Sequence, residues 1–245
     1  MNNKFPYKIE DCPIVDALIE IRFETDVVKS ATFGMIYNII KDSYPGKVQN
    51  LPITQLPEQI RDNDPSLKFK PLYKIINDKF IIQLGPDVIT ISSKIPYIGW
   101  EEFSNHVLFI VNKILDAKII KKVIRLGHRY VNFFEGDISN QLTLSLSKID
   151  NYKTQNTLIR TDIISQGFTN TIQIYNNAKY RKVNDHLERS GSIIDIDTSK
   201  LYNNDSFCEN IKKEIYEAHS CEKTLFFATL KPDFLNSLNP KYDEK

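Results

Sequence analysis

At 245 residues, with 41% hydrophobic and 26% charged residues, the chain is long enough to bury a core of its own and too apolar to be a disordered polymer. Its 32 Lys and Arg against 31 Asp and Glu leave a net charge of +1, which excludes a global field that gathers nucleic acid or acidic lipid; any such binding has to be local. The three cysteines, Cys12, Cys208 and Cys221, have no CxxC spacing, which argues against a disulfide framework or a zinc site and for a reducing compartment.

The first residues contain no apolar signal-peptide core. The longest apolar runs, such as the one around residues 107–111, fall far short of the roughly 20 residues a membrane span requires. A cytoplasmic location, away from membranes, is expected. Residues 13–24 alternate, with Val15, Ala17, Ile19, Ile21 and Phe23 on one face and Asp16, Glu20, Arg22 and Glu24 on the other, which predicts a half-buried strand. Ser30 opens a stretch in which Phe33, Ile36, Tyr37 and Ile40 recur at helical spacing, ended by Pro45-Gly46. A connector containing Pro52, Pro57 and Pro65 follows. Extended runs are then predicted at 67–76, 79–84 and 88–93, with Asn77-Asp78 and Gly85-Pro86-Asp87 as turns, so the segment reads as an antiparallel meander. After Gly99, Trp100, Phe103, Val107, Ile110 and Ile114 return to helical spacing.

A second long strand is predicted at 121–134. Leu142, Leu144 and Leu146 leave the segment 138–147 open between helix and strand. Strand composition recurs at 157–164, 171–175 and 192–197, with residues 167–170 as a hairpin turn. Phe207, Ile211 and Ile215 predict a helix, and a second helical stretch at 224–230 runs up to Pro232. The expected fold is α+β, with two similar β-α-β-β-β-α-like halves, 1–117 and 118–245, forming antiparallel sheets with helices on one face. The halves are expected to act as one integrated unit, and an internal duplication is one account of the repeated order.

The densest polar string is RLGHRYVN at 125–132. Alternation puts Arg125, Gly127 and Arg129 on one face of the strand and His128, Tyr130 and Asn132 on the other. Two guanidinium forks flanking a glycine suit a phosphate or carboxylate, and this makes Arg125, Arg129, Tyr130, His128 and Asn132 the candidate binding residues. The competing reading makes the arginines structural, with Asp195 and Asp197 as ion-pair partners for Arg129. Asp195 and Asp197 share one side of a strand, but no third carboxylate lies at a diagnostic spacing, so no metal site is expected. The four histidines, His106, His128, His186 and His219, form no metal-binding motif. No phosphate-binding loop, dinucleotide-binding glycine motif or GxSxG elbow is present, so neither catalytic residues nor a cofactor is expected. Arg181 and His186 make an Arg-x4-His pattern that resembles the ribonuclease motif of the all-helical HEPN proteins, here in a strand-rich context. Lys118, Lys121, Lys122 and Arg125 form a basic cluster beside Tyr130 that fits nucleic-acid phosphates or a solvated helix-to-strand connection.

Several strings in order resemble a sporadically distributed family of uncharacterised prokaryotic proteins of about this length. They are PIVDALIEIRF at 13–23, GWEEF at 99–103, GHRYVN at 127–132, IDID at 194–197, and His219 followed by Phe226-Phe227. His128 departs from the pattern, which leads one to expect an apolar residue there. The resemblance implies one full-length unit and no defined activity; its patchy distribution is that of accessory genes, antiviral defence and toxin–antitoxin systems among them. The function expected is therefore that of a non-catalytic binding or assembly subunit recognising a protein partner or a second copy of itself. The alternative is a nucleic-acid-binding or nucleic-acid-processing protein using the patch around Arg125 and Arg129.

Overall fold

The structure is a computed structural model that describes residues 5–144, 155–181, 187–204 and 206–242. In chain order its elements are β1 (Lys8–Ile9), β2 (Ile14–Glu24), α1 (Lys29–Ile40), β3 (Gln49–Asn50), α2 (Glu58–Asn63), β4 (Tyr73–Ile76), β5 (Phe80–Leu84), β6 (Val88–Ser93), α3 (Trp100–Asp116), β7 (Lys122–Glu135), β8 (Leu158–Ser165), β9 (Phe168–Tyr180), β10 (Arg189–Leu201), α4 (Ser206–Glu209), α5 (Ile211–Thr229), α6 (Pro232–Ser237) and β11 (Pro240–Lys241). The fold is α+β with antiparallel strand pairing. No helix among the described residues is long and apolar enough to cross a membrane.

The chain divides into two compact units built from non-consecutive segments. The amino-terminal unit holds residues 16–128 and 199–218; the carboxy-terminal unit holds the described parts of 1–15, 129–198 and 219–245. The segment boundaries fall near or within β2, β7, β10 and α5, and position 117–118, the division read from the sequence, lies inside the amino-terminal unit.

In the amino-terminal unit the strands run in the order β3-β4-β5-β6-β2. The first half of β7 lies beside β2, where Lys121 N–H donates to Glu24 O at 2.9 Å, and the end of β10 lies beside β7 through Tyr202 N–H to Ile124 O at 3.0 Å. The alternation of β2 places Ile19 opposite Ile91 and Ile21 opposite Ile89, so one face is a continuous apolar surface. Helices cover it. Phe103, Val107, Ile110 and Ile114 of α3 are buried, and His106 on the same helix stacks on Phe80 of β5 with ring centroids 3.7 Å apart. Trp100, on the expected helix face, is only half-buried and sits edge-on to His128 and Tyr216. The first of the three predicted extended runs is shorter than its composition suggested: residues 64–70 form turns, and the strand begins at Tyr73. Asp64 starts those turns by accepting the Ser66 N–H at 2.8 Å.

In the carboxy-terminal unit the second half of β7 joins β10, β9 and β8. Gly136 N–H donates to Ser190 O at 3.2 Å, and Phe133 N–H to Pro13 O at 2.8 Å. One core gathers Phe134, Ile172, Ile174, Ile194 and Ile196 from the strands with Phe227 and Leu230 from the end of α5 and the residue just beyond it, so the helix covers one sheet face here too. The β8–β9 turn sits at Gln166-Gly167, with φ of 53° and 80°, not at 167–170. Positive φ at both central residues is what a type I′ two-residue hairpin turn requires, and Gln at the first of them hides the signal. The two helical stretches expected near the end are a short α4 and one continuous α5, followed by α6 after Pro232. Of the segment 138–147, residues 139–141 form a short 3-10 turn and Leu142 bridges Leu230; positions beyond 144 lie outside the described residues.

Candidate partner-binding cleft

The polar string on β7 is taken up by internal contacts. In the amino-terminal unit Arg125 Nη1 donates to Glu20 Oε1 at 2.9 Å, and Arg22 Nε donates to the same oxygen at 2.7 Å. The Arg125 guanidinium lies over Gly127, in the space a Cβ there would occupy unless that side chain moved. His128 is fully buried, edge-on to Trp100 at 5.5 Å. Two lysines of the basic cluster are engaged as well, Lys121 with Asp26 at 2.8 Å and Lys122 with the Asn203 carbonyl at 2.9 Å.

In the carboxy-terminal unit Arg129 makes a bidentate pair with Asp195, Nε to Oδ1 at 2.8 Å and Nη2 to Oδ2 at 2.6 Å. Asp197 lies two residues along the same face of β10, half-buried. Tyr130 is buried; its backbone N–H donates to the buried Glu222 carboxylate at 2.9 Å and its ring meets His219 edge-on. The Asn132 amide donates to Ile194 O at 3.3 Å. Arg181 is exposed, and His186 lies outside the described residues. Among the described residues no group of three or more His, Cys, Asp or Glu side chains stands close enough to hold a metal ion.

A concave site lies elsewhere in the amino-terminal unit, in a cleft of about 490 Å³ that the sequence did not single out. Its walls are the start of α1, the short helix α2 with the connector after it, and the Gly85-Pro86-Asp87 turn between β5 and β6. The turn is closed by Gly85 N–H donating to Val88 O at 2.9 Å, and Phe23 N–H donates to Asp87 O at 3.0 Å, so the loop is pinned to β2. Gly85 has little room for a side chain, because a Cβ would stand 3.0 Å from Lys70 O and 2.8 Å from Val88 Cγ1. On the opposite wall α2 starts after Pro57, its N-cap residue, at φ −53° and ψ 143°.

Phe33 and Tyr73 line the cleft as an aromatic pair with centroids 4.0 Å apart. Charges of both signs surround them: Lys29, Arg61, Lys68 and Lys70 against Glu58, Asp62 and Asp87. Lys29 and Asp62 form an exposed ion pair at 2.7 Å, and that hydrogen bond raises the Lys29 pKa. Lys68 and Arg22 both stand over the Phe69 ring, at 5.1 and 4.8 Å. Burial holds the Asp87 carboxyl above the usual carboxylate range, against the pull of Lys68 and Lys29. Asp87 Oδ1 and Arg61 Nε are buried with no hydrogen-bond partner, an acceptor and a donor that each carry a desolvation cost of about 1–3 kcal/mol. No local spacing could have announced this cleft, since its members come from four segments spread between residues 29 and 87. The chain matches no family model, and no curated protein matches it significantly.

Proposed function

We propose that the protein is a non-catalytic recognition subunit whose amino-terminal unit holds a segment of a partner polypeptide in the cleft between α1, α2 and the 85–87 turn. The observation that carries this reading is the mixed character of the walls, cations and carboxylates interleaved around the Phe33–Tyr73 pair. A polypeptide offers both signs of charge, apolar side chains and backbone groups of both hydrogen-bonding kinds. Phosphate backbones instead favour cations without interleaved carboxylates. Arg125 and Arg129, the residues on which nucleic-acid binding would rest, are each held by a carboxylate, Arg125 by Glu20, which it shares with Arg22, and Arg129 by Asp195. The described histidines that could serve as acid or base have structural contacts: His106 bonds Tyr44 at 2.6 Å, His128 is buried beside Trp100, and His219 meets Tyr130.

The test is affinity capture from lysate of the cells in which the protein is native, with wild type and a Lys68→Glu/Lys70→Glu variant side by side. A protein retained by wild type and lost from the folded variant supports the cleft. Labelled DNA and RNA oligonucleotides are titrated in parallel over a range of salt; tight binding that weakens steeply with salt and disappears in Arg125→Ala or Arg129→Ala would replace this reading with the nucleic-acid one.

A further inference from the structure

We infer that β8 is a self-complementary edge along which two copies of the chain join, strand to strand and antiparallel, about a two-fold axis at Thr161. This rests on the carboxy-terminal unit alone and is independent of the cleft. β8 pairs with β9 on one side and closes the strand order, and among the described residues no strand pairs with its other side. Unpaired edges of this length are templates for another strand, and proteins that keep them exposed usually block or use them.

The register within the hairpin decides which backbone groups face out. Leu158 stands opposite Tyr175, and one step back Asn176 N–H donates to Thr157 O at 3.2 Å. Residue 157 and its odd-numbered successors therefore turn their N–H and C=O toward β9. Leu158, Arg160, Asp162 and Ile164 turn theirs outward, because hydrogen-bonding direction alternates along an antiparallel strand. Two copies can exchange bonds only between these outward residues, so a symmetric pairing must be centred on a residue and not between two. Centring it on Arg160 sets Arg160 against its own copy, and centring it on Asp162 sets two aspartates together, both unfavourable. Centring it on Thr161 sets Arg160 against Asp162 of the second copy and Leu158 against Ile164.

The same register buries what the single copy leaves bare. Ile164 is 83% exposed and Leu158 55% exposed, unusual values for large apolar side chains on a strand. Arg160 has no ion-pair partner among the described residues, and Asp162 accepts only the Thr171 hydroxyl at 2.6 Å. Ile159 and Ile163, which pack toward the core of their own unit, meet each other across the axis and continue that core surface. The two Thr161 residues form the non-hydrogen-bonded pair on the axis, where the Cα atoms of opposed residues approach to about 4.5 Å. One shared strand edge is a small interface, so the expected species is a dimer in concentration-dependent exchange with monomer.

Sedimentation velocity over micromolar to near-millimolar protein tests this. Wild type is expected to move from monomer to dimer. Arg160→Asp and Asp162→Arg are each expected to weaken the dimer by about tenfold or more, since each sets like charges together twice, and the combined charge swap is expected to restore it. Circular dichroism and melting curves establish that each variant is folded. The register has a separate readout: in a Cys12→Ser background Thr161→Cys should form an intermolecular disulfide under mild oxidation, and Asp162→Cys should not. Wild type that stays monomeric throughout, a dimer that both single variants leave intact, or a folded charge-swap variant that stays monomeric overturns the proposal.

Discussion

The strands β6, VITISS, and β8, LIRTDIIS, are both rich in β-branched residues, yet every residue of β6 is buried and no residue of β8 is. β6 has a strand on each side, with Ile91 facing Ile19 on β2 and Ile82 on β5, so its backbone groups and both its neighbours are supplied from within. β8 has β9 on one side, and it carries Arg160 and Asp162, which an interior strand could hold only if each were paired. Composition made both segments strands; the number of neighbours decided how much of each is buried.

The largest test of that contrast is Ile91→Ala, expected to cost about 2–5 kcal/mol in chemical denaturation because the cavity is enclosed on all sides. Ile164→Ala, measured at dilution, should change stability by no more than about 0.5 kcal/mol. Equal losses at the two sites would mean that β8 is as buried as β6. A middle case is Arg129, whose side chain is 39% exposed while that of the Asp195 it holds is 7% exposed. Arg129→Ala should cost about 1.5–3 kcal/mol by leaving that carboxylate without its charged donors. Combined with Asp195→Asn it should cost less than the two single changes together. Additive losses would show that the pair is not coupled.

A further effect is expected from pH. Burial lowers the His106 pKa from 6.5 to about 4, and the ring bonds Tyr44. The folded protein thus keeps His106 neutral while the unfolded chain protonates it. Stability from this group is complete above pH 6.5 and declines as pH falls toward 4, by about 1.4 kcal/mol per unit at most. Melting curves across that window should show an acid decline that His106→Gln flattens. An identical decline in the variant would assign it to carboxylates.

Much of the fold was legible because local pattern and final environment agree. The alternation of residues 13–24 became β2, the spacing from Trp100 to Ile114 became α3, and Gly85-Pro86-Asp87 became a turn. β10 was less so. It runs from Arg189 to Leu201 although Ser190, Gly191 and Ser192 have weak strand preference, because pairing holds them: Gly191 packs so closely on the Phe134 carbonyl that a Cβ would collide with it. The string RLGHRYVN drew attention by its density of polar groups, and those groups turned to Glu20, Trp100, Asp195 and the Ile194 carbonyl. Polarity on a central strand records the need for internal partners as readily as it records a ligand. The cleft left no such trace, because Phe33, Lys68 and Asp87 are far apart in sequence and line one cleft only in the folded chain.

The interleaving of the two units bears on how the chain is made. Synthesis delivers residues in order, and a domain cut from one continuous stretch can finish folding while its successor is still being translated. Here the amino-terminal unit waits for residues 199–218, and the carboxy-terminal unit, which already needs residues 1–15, waits for those from 219 onward. The β2–β6 pairing needs only the first 93 residues, and the first half of β7 can join β2 soon after, but the strand and helix contributions of residues 199–218 and of those from 219 onward come late in synthesis. The order of synthesis thus places the meander and its pairing with β2 first, and the closing of each unit by β10 and α5 last.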